Sequence, residues 1–236
     1  MSSFAKNLSA FIRDARACLK DYKLATDSHT QPIKSKYARQ FLHDAEIDFH
    51  GPDKEQIAAL PPAIYVANHA SLLDALLVCA FFEIDLRILA KSTLFHMPVV
   101  GNILKREKHI KVYRGKNAHE RNQQIREQIQ NALANNASVF MFPEGSRTPD
   151  GQIKEFKLGA FYNAIQTHTP IIPVAIHGTF KAMPKTGFTI HPGPCRLEIL
   201  APIFPPESIL DERAAAIDLS NRAKSAIQKA LDNENT

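Results

Sequence analysis

Along residues 4–24, Phe4, Leu8, Phe11, Ile12, Ala15, Leu19 and Tyr22 recur at spacings of three and four, the period of one apolar face of an α-helix. Lys6, Arg13, Arg16, Lys20 and Lys23 fall mostly off that stripe. A polar stretch, Asp27–Pro32, breaks the pattern, and a short helix is expected around Lys36–Asp44. From Ala45 onward, short β-type runs alternate with helical ones. The expected strands are Glu46–Phe49, Ala63–Ala67, Arg87–Ala90, Ile110–Tyr113, Val139–Phe142, Ile171–Ile176 and Arg196–Leu200. The expected helices are Leu72–Phe82, Asn117–Ala134, Lys157–Thr167 and about Glu212–Leu231, the last entered through a proline-rich connector at Pro202–Pro206. This alternation predicts an α/β fold: a mostly parallel mixed sheet covered by helices on both faces, preceded by an N-terminal amphipathic helical segment. The expected division is a membrane-associating segment over residues 1–44 and an α/β domain over 45–236.

Composition narrows this picture. With 236 residues, 44% of them apolar, the chain can bury one substantial core. The net charge of +5 is concentrated at one end. Residues 1–40 carry eight Lys/Arg against three Asp, and the remainder carries 21 of each sign. A basic N-terminal segment suits an anionic surface, membrane headgroups or nucleic acid, and a solvated basic face would explain it equally simply. Three widely spaced cysteines, Cys18, Cys79 and Cys195, form no CxxC pair, which points to neither a zinc knuckle nor a disulfide framework. No run approaches the ~20 apolar residues needed to cross a bilayer, and charges interrupt the first twenty residues. A lipid-directed protein of this composition is expected to lie on a membrane, peripheral or monotopic, at its cytoplasmic face.

Several chemistries lose their anchor at once. The nine glycines form neither GxGxxG nor GxxxxGK[ST], and there is no GxSxG or HExxH. The first positive signal is the apolar strand ending in Asn68 and His69, followed by Ser71 and Asp74. Ligands bind at carboxyl ends of strands in open α/β sheets. A carboxylate one turn away can fix the tautomer of the imidazole and stabilise its charged form, so the pair has the makings of a general base. The bare spacing by itself more often marks a capping histidine and a helix-start aspartate. The second signal is Phe142-Pro143-Glu144-Gly145-Ser146-Arg147 at the end of another apolar strand. Arginine offers a planar fork suited to phosphate, and glycine admits close approach to the backbone; a structural Glu144–Arg147 ion pair would explain the same residues. The third is Lys91, Leu94, Pro98 and Gly101 leading to a strand that ends at Arg114, within a basic stretch at residues 105–116.

In this order and spacing the three pieces resemble the glycerolipid acyltransferase family of the 1-acyl-glycerol-3-phosphate acyltransferase type, with NHxxxxD, KxxLxxxPxxG, FPEG[ST]R and a proline-containing apolar strand, here Thr169–Ile176. The resemblance covers residues 45–200. Lys108 stands where many members have glycine, and Tyr113 where an acidic residue often precedes the arginine. The resemblance implies that His69, oriented by Asp74, removes a proton from the free hydroxyl of a lysophospholipid, which then takes an acyl group from acyl-CoA or acyl carrier protein. It implies that Lys91, Arg114, Glu144, Gly145, Ser146 and Arg147 bind the acceptor, with the arginines on its phosphate and Glu144 on the glycerol or locking Arg147. It implies no metal, no further cofactor and no nucleic acid. The competing expectations are a transacylase that uses phospholipid as acyl donor, an acyltransferase for another lysolipid, and a non-catalytic basic protein that binds membrane or nucleic acid.

Overall fold

The computed structural model describes residues 3–24, 30–113, 118–187 and 189–233. Two helices, α1 (Ser3–Leu24) and α2 (Thr30–Asp44), precede strand β1 (Ile47–His50). Then follow α3 (Lys54–Ala58), β2 (Ile64–Ala67), α4 (Leu73–Phe81), β3 (Leu86–Lys91), a 3-10 helix (Ser92–His96), α5 (Val100–Arg106), β4 (Ile110–Val112) and α6 (Ala118–Ala134). The chain continues through β5 (Ser138–Met141), α7 (Gly159–Thr167), β6 (Ile171–His177), α8 (Thr179–Ala182), β7 (Gly193–Ile199) and α9 (Glu212–Asp232).

The seven strands form one sheet in the order β1-β7-β6-β2-β5-β3-β4. Strands β2 to β6 run parallel; β7 runs antiparallel to β6, and β1 parallel to β7. The expected mixed, mostly parallel sheet is therefore present, with the reversal confined to β7 and β1. The central strands β2, β5 and β6 are buried along their whole length, which is why they read as unbroken apolar runs. Alternate residues divide between the faces. Tyr65, Phe140 and Val174 pack with Phe41 and Leu42 of α2 and Leu73 and Leu77 of α4. Ile64, Val66 and Val139 pack with Phe161 of α7, Ile129 of α6, and Leu219, Ala223 and Ile227 of α9. The second helix starts at Thr30, earlier than the Lys36 expected from the pattern. Pro32 falls in its first turn, where a missing N–H costs nothing.

The stripe on α1 splits in two. Ala15, Cys18 and Tyr22 are buried and Phe11 packs edge-on against Phe41, whereas Leu8 and Ile12 face outward. A buried polar cluster helps to fasten both N-terminal helices to the sheet. Lys34 of α2 lies 3.5 Å from Glu107, both side chains being almost fully buried, and the Arg106 guanidinium sits over the Tyr22 ring. Arg87 donates to the Glu107 carbonyl at 2.6 Å, and His109 accepts from the Ile88 amide at 3.1 Å. Burial, reinforced by the positive charges of Lys34 and Arg87, holds His109 well below the ordinary imidazole pKa. Lys108 between them has φ of 53°, a left-handed conformation that favours glycine. Among the described residues no helix is long and apolar enough to cross a membrane.

Candidate active site

The carboxyl ends of β2 and β5 lie side by side, because the two strands are parallel neighbours with Val66 level with Met141. Asn68 follows β2 without leaving the sheet. Its side-chain amide accepts from Ile176 N–H at 2.8 Å and donates to Ile176 C=O at 2.9 Å, 108 residues away. A side chain thus supplies the last rung between β2 and β6, and the backbone is free to turn at His69.

His69 is held from four sides. Nδ1 lies 2.8 Å from Asp74 Oδ2, its amide donates to Glu144 Oε1 at 2.7 Å, and its carbonyl accepts from Thr148 N–H at 2.8 Å. The ring stacks on Phe142 with centroids 4.1 Å apart and planes 18° apart. Asp74 is fully buried in the first turn of α4, and its Oδ2 also accepts from the amides of Ala70 and Ser71 at 2.8 and 2.9 Å. Three donors thus converge on one oxygen. With Asp74 accepting from Nδ1–H, the Nε2 lone pair is left as the proton-accepting position of the ring. The imidazole keeps 18% of its exposure, enough for a substrate atom to reach it. Ser71 starts α4, accepting from Leu73 N–H and donating to the Met183 carbonyl.

The loop after β5 completes the site. Gly145 has φ of 73°, so any side chain there would be strained, and a Cβ would also stand 2.9 Å from Lys157 Nζ, displacing that lysine. Glu144 is buried and pairs with Lys154, at 4.0 Å, rather than with Arg147. Its second oxygen accepts from Lys154 N–H at 3.2 Å. Burial raises its carboxyl pKa, while the hydrogen bonds from His69 and Lys154 pull it back part of the way. Lys154 Nζ donates to the Ser146 carbonyl, to Ser146 Oγ at 2.7 Å and to the Arg147 carbonyl at 3.3 Å. Arg147 is half-buried, and its Nη1 is buried with no hydrogen-bond partner among the described residues. A buried guanidinium nitrogen without an acceptor is costly, and an anionic group of a ligand would satisfy it.

The structure therefore brings His69, Asp74, Glu144, Gly145, Ser146 and Arg147 together. Lys91 ends β3 with an exposed side chain, two strands from β2 and so about 10 Å away laterally. Arg114 lies outside the described residues. The roles of Asn68, Thr148 and Lys154 were not anticipated. Asn68 adjoins the histidine and could have been suspected, but nothing in the local pattern marks Lys154.

Fold and site together define an α/β protein with a histidine–carboxylate pair at the carboxyl ends of its central strands, hydrogen-bonded to a turn that also carries a half-buried arginine. The chain belongs to the acyltransferase family, whose family model matches residues 46–177. It is 36% identical over 141 residues to a 1-acyl-sn-glycerol-3-phosphate acyltransferase of Limnanthes alba, covering 60% of this chain and 50% of that one. It is 27% identical over 170 residues to an enzyme of the same name from Pseudomonas aeruginosa, covering 72% and 64%. The chain spans about half the length of the curated plant relatives it matches. The crystal structure of the 1-acyl-sn-glycerophosphate (LPA) acyltransferase PlsC from Thermotoga maritima has the same fold, with a TM-score of 0.78, 24% identity, and coverage of 97% of this chain and 93% of that one.

Proposed function

We propose that this protein is an O-acyltransferase that moves a fatty acyl group from acyl-CoA or acyl carrier protein to the free hydroxyl of a lysophospholipid. The best-supported acceptor is 1-acyl-glycerol-3-phosphate, giving phosphatidic acid. The observation that carries the reading is the His69–Asp74 pair, hydrogen-bonded at 2.8 Å, whose histidine amide is held by Glu144 three residues before Arg147, an arginine with a buried Nη1 that has no hydrogen-bond partner among the described residues. His69 Nε2 takes the hydroxyl proton as the oxygen attacks the thioester carbonyl. The tetrahedral intermediate then collapses, the C–S bond breaks, and the imidazolium returns the proton to the departing thiolate. No acyl-enzyme is required. Cys79, the thiol nearest the HxxxxD segment in sequence, has its pKa raised by burial, which suits packing better than nucleophilic attack. Arg147 would hold the acceptor phosphate together with Arg114, with Lys91 as a further contact, and Glu144 would act mainly by fixing the His69 backbone.

The outward face of α1, with Leu8, Ile12 and the exposed Arg16, supports placement on an anionic membrane surface. The cytoplasmic face is the proposed side. The purified protein should convert lysophosphatidic acid and an acyl thioester to phosphatidic acid, measured by chromatography of a labelled acyl chain. A panel with lysophosphatidylcholine, glycerol 3-phosphate and monoacylglycerol, and with acyl-CoA, acyl carrier protein or phospholipid as donor, reads out acceptor and donor. The His69→Ala variant should lose ~10²–10⁴ in rate. A folded His69→Ala variant of undiminished activity, or turnover only with phospholipid as donor, would overturn the mechanism.

A further inference from the structure

We infer that Lys154 is a positioning residue for acyl transfer: one ammonium group fixes the strand-end turn that carries Arg147 and steadies the carboxylate that holds the His69 backbone. The inference rests on the proposed function for its kinetic half only. Lys154 lies well outside the FPEGSR segment, on the loop between β5 and α7. Its Nζ donates to two successive carbonyls, Ser146 and Arg147, and to Ser146 Oγ. With both carbonyls and the serine hydroxyl held by a single cation, the backbone at Ser146 and Arg147 is fixed. The same residue acts on Glu144 twice, through its amide at 3.2 Å and through its charge at 4.0 Å. Glu144 in turn accepts from the His69 amide. The chain Lys154–Glu144–His69 thus joins the proposed phosphate contact to the base.

The loop is built to deliver this side chain. Asp150 accepts from Thr148 Oγ1 at 2.7 Å and from Gln152 N–H at 3.1 Å, a self-bonded turn of the aspartate type. Gly151 takes the left-handed conformation next to the Phe180 ring. Phe156 is buried in the second core, and Lys157 N–H bonds to the Pro143 carbonyl at 2.9 Å. With both flanks pinned, the backbone at Lys154 is set before its contacts form, and their entropic cost falls on the side chain alone.

A lysine that only braced the loop would show itself in stability alone. As a positioning residue it has two further signatures. The variants Lys154→Met and Lys154→Arg are compared with wild type in full-length protein. Lys154→Met should lower kcat/KM for lysophosphatidic acid by ~10–100-fold, the scale of lost charged hydrogen bonds, while Lys154→Arg recovers part of it. Independently of turnover, the backbone amide resonance of His69 reports on its bond to Glu144 as pH is lowered. The ionisable groups that face Glu144 are His69 and Lys154, with the Lys157 ammonium against the neighbouring Gly145. Without the lysine charge, Glu144 should protonate at higher pH, so the midpoint of the His69 amide shift should move upward in Lys154→Met and stay near wild type in Lys154→Arg. A Lys154→Met protein with an unmoved midpoint and undiminished kcat/KM refutes the inference. If wild type turns over no lysolipid but the midpoint moves, the functional proposal fails and the positioning stands. If Lys154→Met does not fold, Lys154→Gln is measured in its place.

Discussion

Asp74 Oδ2 receives His69 Nδ1 and two backbone amides, while Oδ1 is buried without a hydrogen-bond partner among the described residues. An amide in place of the carboxylate cannot stabilise an imidazolium, and its NH2 group meets donors if it turns toward them. Asp74→Asn is therefore expected to reduce kcat by ~10²–10⁴, with an unchanged circular dichroism spectrum. Arg147→Ala should reduce kcat/KM for lysophosphatidic acid by ~10–100-fold and that for an uncharged monoacylglycerol far less. Equal losses on both acceptors would mean that Arg147 supports the loop and not the phosphate. At this level the sequence was informative where chemistry and pattern coincide. His69 and Asp74 are marked by a strand end and a one-turn spacing, and Arg147 by the glycine-containing turn. Lys154 is marked by nothing, because its partners are carbonyls brought to it by the course of the loop. The Glu144–Arg147 pair was the natural reading of two opposite charges three residues apart, but burial turns Glu144 toward amides instead.

The helices and strands show the same division. Apolar strands, short ones included, and long periodic helices were legible: β1, β2, β4, β5, β6 and α9 lie within a few residues of their expected positions. The short helices were not. Helices α3, α5 and α8 and the 3-10 helix each span seven residues or fewer, too short for a period to declare itself, and they are held by the loops that end them. Lys108 illustrates how a departure from a family pattern acquires a physical meaning, because a non-glycine residue there occupies φ of 53°. Lys108→Gly should stabilise the fold by about 0.5–1 kcal/mol, measured by urea unfolding; a loss of stability would show that the lysine side chain contributes more than the strain costs. The adjacent His109 carries a pH signature. Its folded pKa lies below the unfolded value, so the unfolded chain binds the proton first, and stability is lost as pH falls below the ordinary imidazole value of about 6.5. His109→Gln should flatten the decline of Tm between about pH 6.5 and 5. An unchanged decline would place the acid sensitivity elsewhere.

Taken as one body, the molecule has a functional edge set by the direction of its strands. The reversal at β7 sends β1 the opposite way to β2, so His50 at the end of β1 lies level with His177, and the start of β1 projects beyond the carboxyl end of β6. Lys6 of α1 meets Glu46 there at 3.6 Å, and Arg13 bonds Asp44. The amino-terminal half of α1, with Leu8 and Ile12, therefore lies along the edge that presents His69. No pattern in the sequence announced the direction of β7, since a strand reads alike in either sense. If that face meets lipid, Leu8→Asp/Ile12→Asp should reduce flotation with anionic vesicles several-fold without lowering Tm. Full flotation of the double variant would assign the attachment to another surface.

The ties around His69 also have a kinetic consequence. Asn68 joins β2 to β6 through Ile176, Glu144 joins the loop after β5 to the His69 amide, and the His69 carbonyl holds Thr148. These amides come from three separated stretches of chain, yet none of the bonds can break far without disturbing the next. The carboxyl edge should then open as a single cooperative unit, so that under native conditions the amide protons of Ile176, His69 and Thr148 exchange with solvent deuterium through one shared opening event. Asn68→Ser, which removes only the rung to Ile176, should accelerate exchange at all three positions together. Acceleration at Ile176 alone would mean that the edge frays strand by strand, and that the base can be lost from its place without the sheet recording it.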